Sequence, residues 1–201
     1  VKNFIETAYL PDVVMAAGAY KDEGLSGDGA GVKNYLCYGG FPLDDDWHQT
    51  LLPRGVVFDG DLSNPRELNE DLITENVTHA WYKGSETLHP YVGKTEPEYT
   101  GFDANGNVKG DEKYTWCKAP AYDGRPFEVG PLARFIVGYA QGHPEIRQLV
   151  DSTLQATGLP VTVLFSTLGR TAARALETKL MADRAEGWVN ELIANIKAGD
   201  T

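Results

Sequence analysis

The sequence predicts a mainly α fold with a smaller β part, an α+β arrangement, and three observations carry that prediction. From Pro131 to Ala198 apolar residues recur at three- and four-residue spacing, the period of helices with one buried face. Before that point the apolar runs are short and bounded by Gly, Pro and Asp, the punctuation of strands and tight turns. The chain has 201 residues, 42% of them hydrophobic, which suffices for one substantial core or at most two small ones and excludes a disordered or fibrous chain.

The elements follow in order. The stretch NFIETAYLPDVVMAAGAYKD places Phe4, Ile5, Ala8, Tyr9, Val13, Ala16, Ala17 and Tyr20 at helical spacing with Pro11 inside the pattern, so a helix kinked or restarted near Pro11 is expected. After the glycine-rich link GLSGDGAG, the segments NYLCYGGFPL and PRGVVFDGDLS read as short strands, and the acidic run Asp44 to Asp46 between them reads as a solvated loop. Asn64, Pro65 and Glu67 match a helix start, with Leu68, Leu72 and Ile73 as the buried side of a short helix. A long aromatic loop region runs from His89 to Phe102. TWCKAPAY and RPFEV flank Asp123-Gly124, a pair suited to a two-residue hairpin turn because both positions tolerate positive φ.

Three helices complete the chain. The first carries Leu132, Phe135, Ile136 and Tyr139 and stops at Gly142; the second opens at Pro144, turns Ile146, Leu149, Val150 and Leu154 inward and stops at Gly158. The third runs from about Ser166 to Ala198 with Leu168, Ala172, Leu176, Leu180, Trp188, Leu192 and Ile196 along one side and Gly187 as its weakest point. Unbroken, it would be roughly 45 to 50 Å long. That length suits the backbone of a larger assembly, and the chain opens on Val1 rather than Met, which suggests a processed chain or a piece of a longer one.

Several function classes drop out early. The 18 basic and 29 acidic residues leave a net charge of −11, and no basic patch concentrates locally, which speaks against a nucleic-acid partner. No apolar run approaches the roughly 20 residues of a transmembrane helix, and the amino end lacks a secretion-signal pattern. Cys37 and Cys117 have no second cysteine or histidine at metal-ligand spacing, and His48, His79, His89 and His143 are scattered. Cys117, beside Trp116, reads as a small buried hydrophobe. Its alternative, a thiolate activated by Lys118, fails if the two lie on a strand and point to opposite faces. The clusters GDGAG and YGGF lack nucleotide-loop spacing.

Seven segments then stand out together: NFIETAYLPDVV, KNYLCYGGFP, PRGVVFDGDLS, VTHAWYKG, LHPYVGKTEPEYTGFD, KYTWCKAPAYDGRPFEVGPLAR and FSTLGRTAARALET. In this combination and order, over nearly the whole chain, the sequence resembles the large, catalytic subunit of nickel-iron hydrogenases. The resemblance implies an enzyme that splits or forms H2 heterolytically at a nickel-iron centre held by four cysteine thiolates. It further implies that electrons pass to an iron-sulfur small subunit, that a magnesium site lies near the centre, and that the location is the cell envelope, in the periplasm or on the periplasmic face of the inner membrane. Soft thiolates suit the nickel, and a dry pocket lets the metals polarise H2.

The family draws those thiolates from two Cys-x-x-Cys pairs, one in an Arg-x-Cys-Gly-x-Cys context and one after Asp-Pro, and neither occurs here. Residues 1–201 therefore read as a central portion of one large-subunit domain, inactive alone, with no internal boundary and with no catalytic, cofactor-binding or metal-ligating residue assigned. Lys118 and Glu128 are the two candidates for hydrogen-bonding waters around the magnesium. For Glu128 the plainer role is to complement the positive end of the helix that starts at Pro131. Ala121 stands where family members commonly carry Arg. His79 reads as a hydrogen-bonded packing residue, and Tyr91, Tyr99 and Trp116 as surface packed against the rest of the subunit or the small subunit. The alternatives are a non-catalytic scaffold of a redox complex, which a stop codon after Thr201 would favour, and a glycan-binding module using the aromatic loops, which requires a stable monomer.

Overall fold

The computed structural model describes residues 1–109 and 113–200. The chain divides into two compact units, one formed by 1–66 and 129–201 and the other by 67–128.

In the first unit the core gathers around helix α4, Pro131–Gln141. Its Phe135, Ile136, Val137 and Ala133 are fully buried, and each large apolar side chain withdrawn from water in this way contributes about 1.5–3 kcal/mol. α4 packs on the antiparallel pair β1, Tyr35–Pro42, and β2, Thr50–Val57, whose register sets Tyr35 opposite Val57 and Cys37 opposite Gly55. Tyr35, Leu36 and Cys37 are buried in succession, so the start of β1 is covered on both faces. Asp44, in the loop between the strands, accepts hydrogen bonds from the backbone N–H groups of His48 and Gln49 at 2.9 Å each, and the acidic run is the exposed turn that the sequence suggests.

α5, Pro144–Thr157, follows α4 directly. Both helices end on a left-handed glycine, Gly142 and Gly158, where the sequence predicts. α6, Thr167–Ala198, starts from buried Ser166, whose Oγ accepts from the Gly169 N–H at 3.0 Å. It runs unbroken through Gly187, about 48 Å in all. Leu176 and Leu180 are buried as expected, whereas Leu192 and Ile196 are 59% and 55% exposed, because the carboxyl-terminal third outruns the elements packed on the rest.

The amino-terminal helix consists of α1, Lys2–Phe4, a π-helical turn over Ile5–Tyr9, and α2, Leu10–Ala19; the short α3, Lys21–Gly24, comes after it. Pro11 has no N–H and would crowd the carbonyl four residues back in a regular helix. The wider turn, in which the Leu10 N–H bonds to the Ile5 carbonyl, absorbs that conflict immediately before the proline. The helix runs antiparallel along α6, bordered by Lys179–Glu6 at 3.1 Å and by Lys2 with Asp183 at 3.2 Å and Glu186 at 3.5 Å.

The second unit is built on a sheet of order β4-β3-β5-β6, with β3 at Ile73–Asn76, β4 at Thr87–Leu88, β5 at Ala119–Tyr122 and β6 at Arg125–Pro126. Asp123 and Gly124 close the β5–β6 hairpin with φ of 49° and 71°, the two positive values that the Asp-Gly pair was expected to supply.

The helix expected after Asn64 does not form. Arg66 instead exchanges both backbone hydrogen bonds with Val56 at 2.9 Å, which holds the chain extended where the first helical turn should be. Only a 3-10 turn at Glu70–Leu72 follows, capped by Asn69, with Leu72 exposed and Ile73 in β3.

Candidate functional site

Lys118 lies just ahead of β5. The pairing of Asn76 with Ala119 and of Glu75 with Pro120 brings it beside Glu75, and its ammonium donates to Glu75 Oε2 at 2.8 Å and to Thr95 Oγ1 at 2.9 Å. The same ammonium lies over the Tyr82 ring, 5.6 Å from the centroid. The side chains of Lys118 and Glu75 are 18% and 32% exposed, so the lysine is a positioned charge rather than a free one. A cavity of about 340 Å³ opens beside them, with Leu88, Val92 and Lys94 in its wall.

Behind this cluster, Trp81 is buried and meets the rings of Tyr99, Trp116 and Phe102 edge-on at 4.9, 5.2 and 5.8 Å. The Tyr82 hydroxyl donates to the Trp116 carbonyl at 3.0 Å. Lys113 bonds the carbonyls of Tyr82 and Gly84 and pairs with Glu98. The charged residues of the 113–118 stretch thus have structural partners.

Glu128 is half-buried at the end of the second unit. α4 begins on Gly130, which has no side chain to offer, and its first turn contains no acid, so Glu128 is the carboxylate that precedes that helix most closely in sequence.

Cys117 is not the small buried hydrophobe that its place beside Trp116 suggested. Cys117 is exposed and Cys37 is buried. Neither Cys117 nor Lys118 belongs to a strand, since β5 starts at Ala119, and the Cys117 N–H is held by Thr115 Oγ1 at 3.0 Å. The alternation argument therefore does not apply; Lys118 is occupied by its contacts to Glu75 and Thr95 instead. Cys37 sits in the α4 core, and burial pushes its thiol up to about 11, against smaller lowering effects from a Gly39 backbone hydrogen bond and the Arg134 charge. Arg134 is bound by both carboxylate oxygens of Glu177, Nη2 to Oε2 at 2.7 Å, and that hydrogen bonding raises its pKa further.

Two of the histidines, His89 and His143, bond backbone groups. His79 is exposed and stacks on Tyr114 at 5.6 Å, His89 Nδ1 accepts from the Tyr91 N–H at 3.1 Å, and His143 Nδ1 caps α5 through the Ile146 N–H. Sequence reading missed Glu75 and Thr95 as the anchors of Lys118. They lie 43 and 23 residues away, and no local pattern announces such a pairing.

Whether these residues fit a nickel-iron centre can be tested on their chemistry. Four thiolates would be needed, while the sequence contains two cysteines, one of them buried with its proton held more tightly than usual. Among the described residues no three His, Cys, Asp or Glu side chains gather in a group that could hold a metal ion. The donor set does not fit that centre, nor does it form a magnesium ligand set among the described residues.

A helical scaffold enclosing a buried hairpin, joined to a small aromatic β unit, is the class of structure defined by these features. The profile of the nickel-dependent hydrogenases matches residues 1–201, and the chain belongs to that family. It is 47% identical over 210 residues to the quinone-reactive Ni/Fe-hydrogenase large chain of Wolinella succinogenes, covering 98% of this chain and 36% of that one. To the uptake hydrogenase large subunit of Rhizobium leguminosarum bv. viciae it is 44% identical over 215 residues, 99% of this chain and 36% of the relative. In structure it is similar to the [NiFeSe]-hydrogenase of Dm. baculatum, with a TM-score of 0.69 and 32% identity over 94% of this chain and 37% of that one. The chain thus spans little more than a third of the length of these relatives. No helix among the described residues is long and apolar enough to cross a membrane.

Proposed function

We propose that this chain is the scaffold portion of a nickel-iron hydrogenase large subunit that cleaves H2 heterolytically and reversibly, the electrons leaving through an iron-sulfur small subunit. The observation that carries the reading is the match of residues 1–201 to the nickel-dependent hydrogenases in a sequence with only two cysteines. Membership of the family supports the reaction, and a count of two cysteines supports metal-gripping thiolates outside this stretch. What these residues contribute is a rigid α4–β1–β2 core and a fixed positive charge at Lys118, held by Glu75 and Thr95. Such a preset ammonium can orient waters or carboxylates around a neighbouring magnesium without itself being a ligand, and Glu128 is its acceptor counterpart. By the same resemblance the parent enzyme works in the cell envelope, in the periplasm or on the periplasmic face of the inner membrane.

The test is to purify this chain and measure bound nickel together with H2-dependent dye reduction. The expected result is no turnover and nickel far below one per chain. Stoichiometric nickel with turnover would overturn the proposal.

A further inference from the structure

A short loop in the second unit carries the single Asn-Gly step of the sequence, Asn105-Gly106; every other asparagine precedes a residue with a side chain. Phe102 and Val108 pair across the base of the loop. Above them the Asp103 N–H donates to the Asn107 carbonyl at 2.9 Å and the Gly106 N–H to the Asp103 carbonyl at 3.0 Å, while Asp103 Oδ1 accepts from the N–H groups of Asn105 and Asn107 at 2.8 Å each. The two asparagines of this loop are both exposed but differ in their chemistry. The Asn105 side-chain amide has no hydrogen-bond partner among the described residues, whereas that of Asn107 donates to Asp103 Oδ2 at 3.4 Å. Gly106 follows Asn105 at φ of 82° with open space around its α-carbon, so no side chain shields its backbone nitrogen. Asn107 is followed by Val108, whose branched side chain stiffens and screens the equivalent nitrogen. The bond that holds the Gly106 N–H belongs to an exposed turn, the kind that opens locally without unfolding the rest.

We propose that Asn105 is a site of spontaneous deamidation and that its conversion unfastens this loop. The Gly106 backbone nitrogen attacks Cγ of Asn105; a new C–N bond closes a cyclic imide, the bond from Cγ to the side-chain nitrogen breaks, and ammonia leaves with the proton given up by the backbone nitrogen. Water then opens the imide at either carbonyl. One product has a carboxylate side chain at position 105, and the other has an isoaspartyl linkage in which the main chain runs through the former side chain. Nothing is oxidised or reduced, and water is the only co-reactant. The isoaspartyl linkage adds a backbone atom inside the turn closed by the Gly106-to-Asp103 and Asp103-to-Asn107 bonds, so both bonds lose their register, and either product sets a second negative charge beside Asp103. Phe102, at the base of the loop, meets the Trp81 ring edge-on at 5.8 Å and is the contact through which the change reaches the aromatic cluster. The inference is independent of the reaction assigned to the subunit.

The experiment holds the purified full-length subunit in warm, mildly alkaline buffer, follows each asparagine by peptide mass mapping and locates isoaspartate by enzymatic methylation. Conversion at Asn105 is expected about tenfold faster than at Asn107 or any other asparagine, a barrier difference of ~1.4 kcal/mol. No conversion at Asn105, or equal rates at Asn105 and Asn107, would overturn the proposal. Asn105→Gln keeps an amide at the position but closes the ring far less readily, and it should lose the isoaspartate signal of this peptide; a signal that persists would place the reaction elsewhere and overturn the assignment. Amide exchange over 102–108 should rise in the aged parent protein and stay unchanged in aged Asn105→Gln. Unchanged exchange in a chain that mass mapping shows to be converted would overturn the unfastening.

Discussion

The two units hold themselves together by different means. In the first, α4 is surrounded by the β1–β2 pair and by helices, and its core is a continuous apolar cluster that includes Tyr35, Phe135, Ile136, Ile146 and Leu180. In the second, the buried apolar residues among those described are Ala80, Trp81, Tyr122 and Phe127, and order comes from edge-on aromatic contacts and from lysines tied to carbonyls and carboxylates. A unit held by burial resists local opening with the free energy of its whole core, whereas one held by a few ring contacts and half-exposed ion pairs opens more readily. The first unit is thus held by a packed apolar core and the second by ring contacts and paired charges.

The contrast can be broken most forcefully at Phe135. Replacing it with Ala should remove about 3–5 kcal/mol of stability, read as a large fall in the denaturation midpoint, whereas Trp81→Ala should speed amide exchange mainly within 67–128 and leave the α4 amides unchanged. Exchange that rises equally in both units would show that they are not separately held. Next in size is Glu177→Ala, which leaves the partly buried Arg134 without its two-point partner and should cost about 1–3 kcal/mol. In the second unit, Gly124→Val forces a β-branched side chain to φ of 71°; a loss of about 1–2 kcal/mol is expected, with hairpin amides exchanging first.

The smallest effect is on pH dependence. The folded Cys37 thiol, pushed by burial from an ordinary 9.0 to about 11, keeps its proton where the unfolded thiol has lost it. The folded state therefore binds more protons between those two values, and stability falls as pH rises from about 9 through 11. Cys37→Ala should flatten that part of the profile. At pH 8, iodoacetamide should modify Cys117 and leave Cys37 intact until the protein unfolds.

The same contrast explains what the sequence makes legible. α4, α5 and α6 announce themselves because amphipathic spacing and glycine stops are local signals, and Asp123-Gly124 specifies its turn by backbone preference alone. The helix after Asn64 carried equally good local signals but lost to the Val56–Arg66 backbone pair, a contact between residues ten apart that no cap pattern encodes. Cys117 failed for a related reason: having Trp116 beside it in sequence does not bury it, because the ring that is buried is Trp81. Lys118 stands out in the sequence as a charge in a family-like stretch, while Glu75 and Thr95, which hold it in place, were invisible because they come from distant parts of the chain.

The central claim is that this portion of the subunit frames a metal centre without gripping it. Its most direct test is the double variant Cys37→Ala and Cys117→Ser in the full-length subunit, assayed for nickel content and H2 turnover. Both should match the parent protein. Loss of nickel from a variant that still folds would mean that one of these two sulfurs is a ligand and would contradict the account.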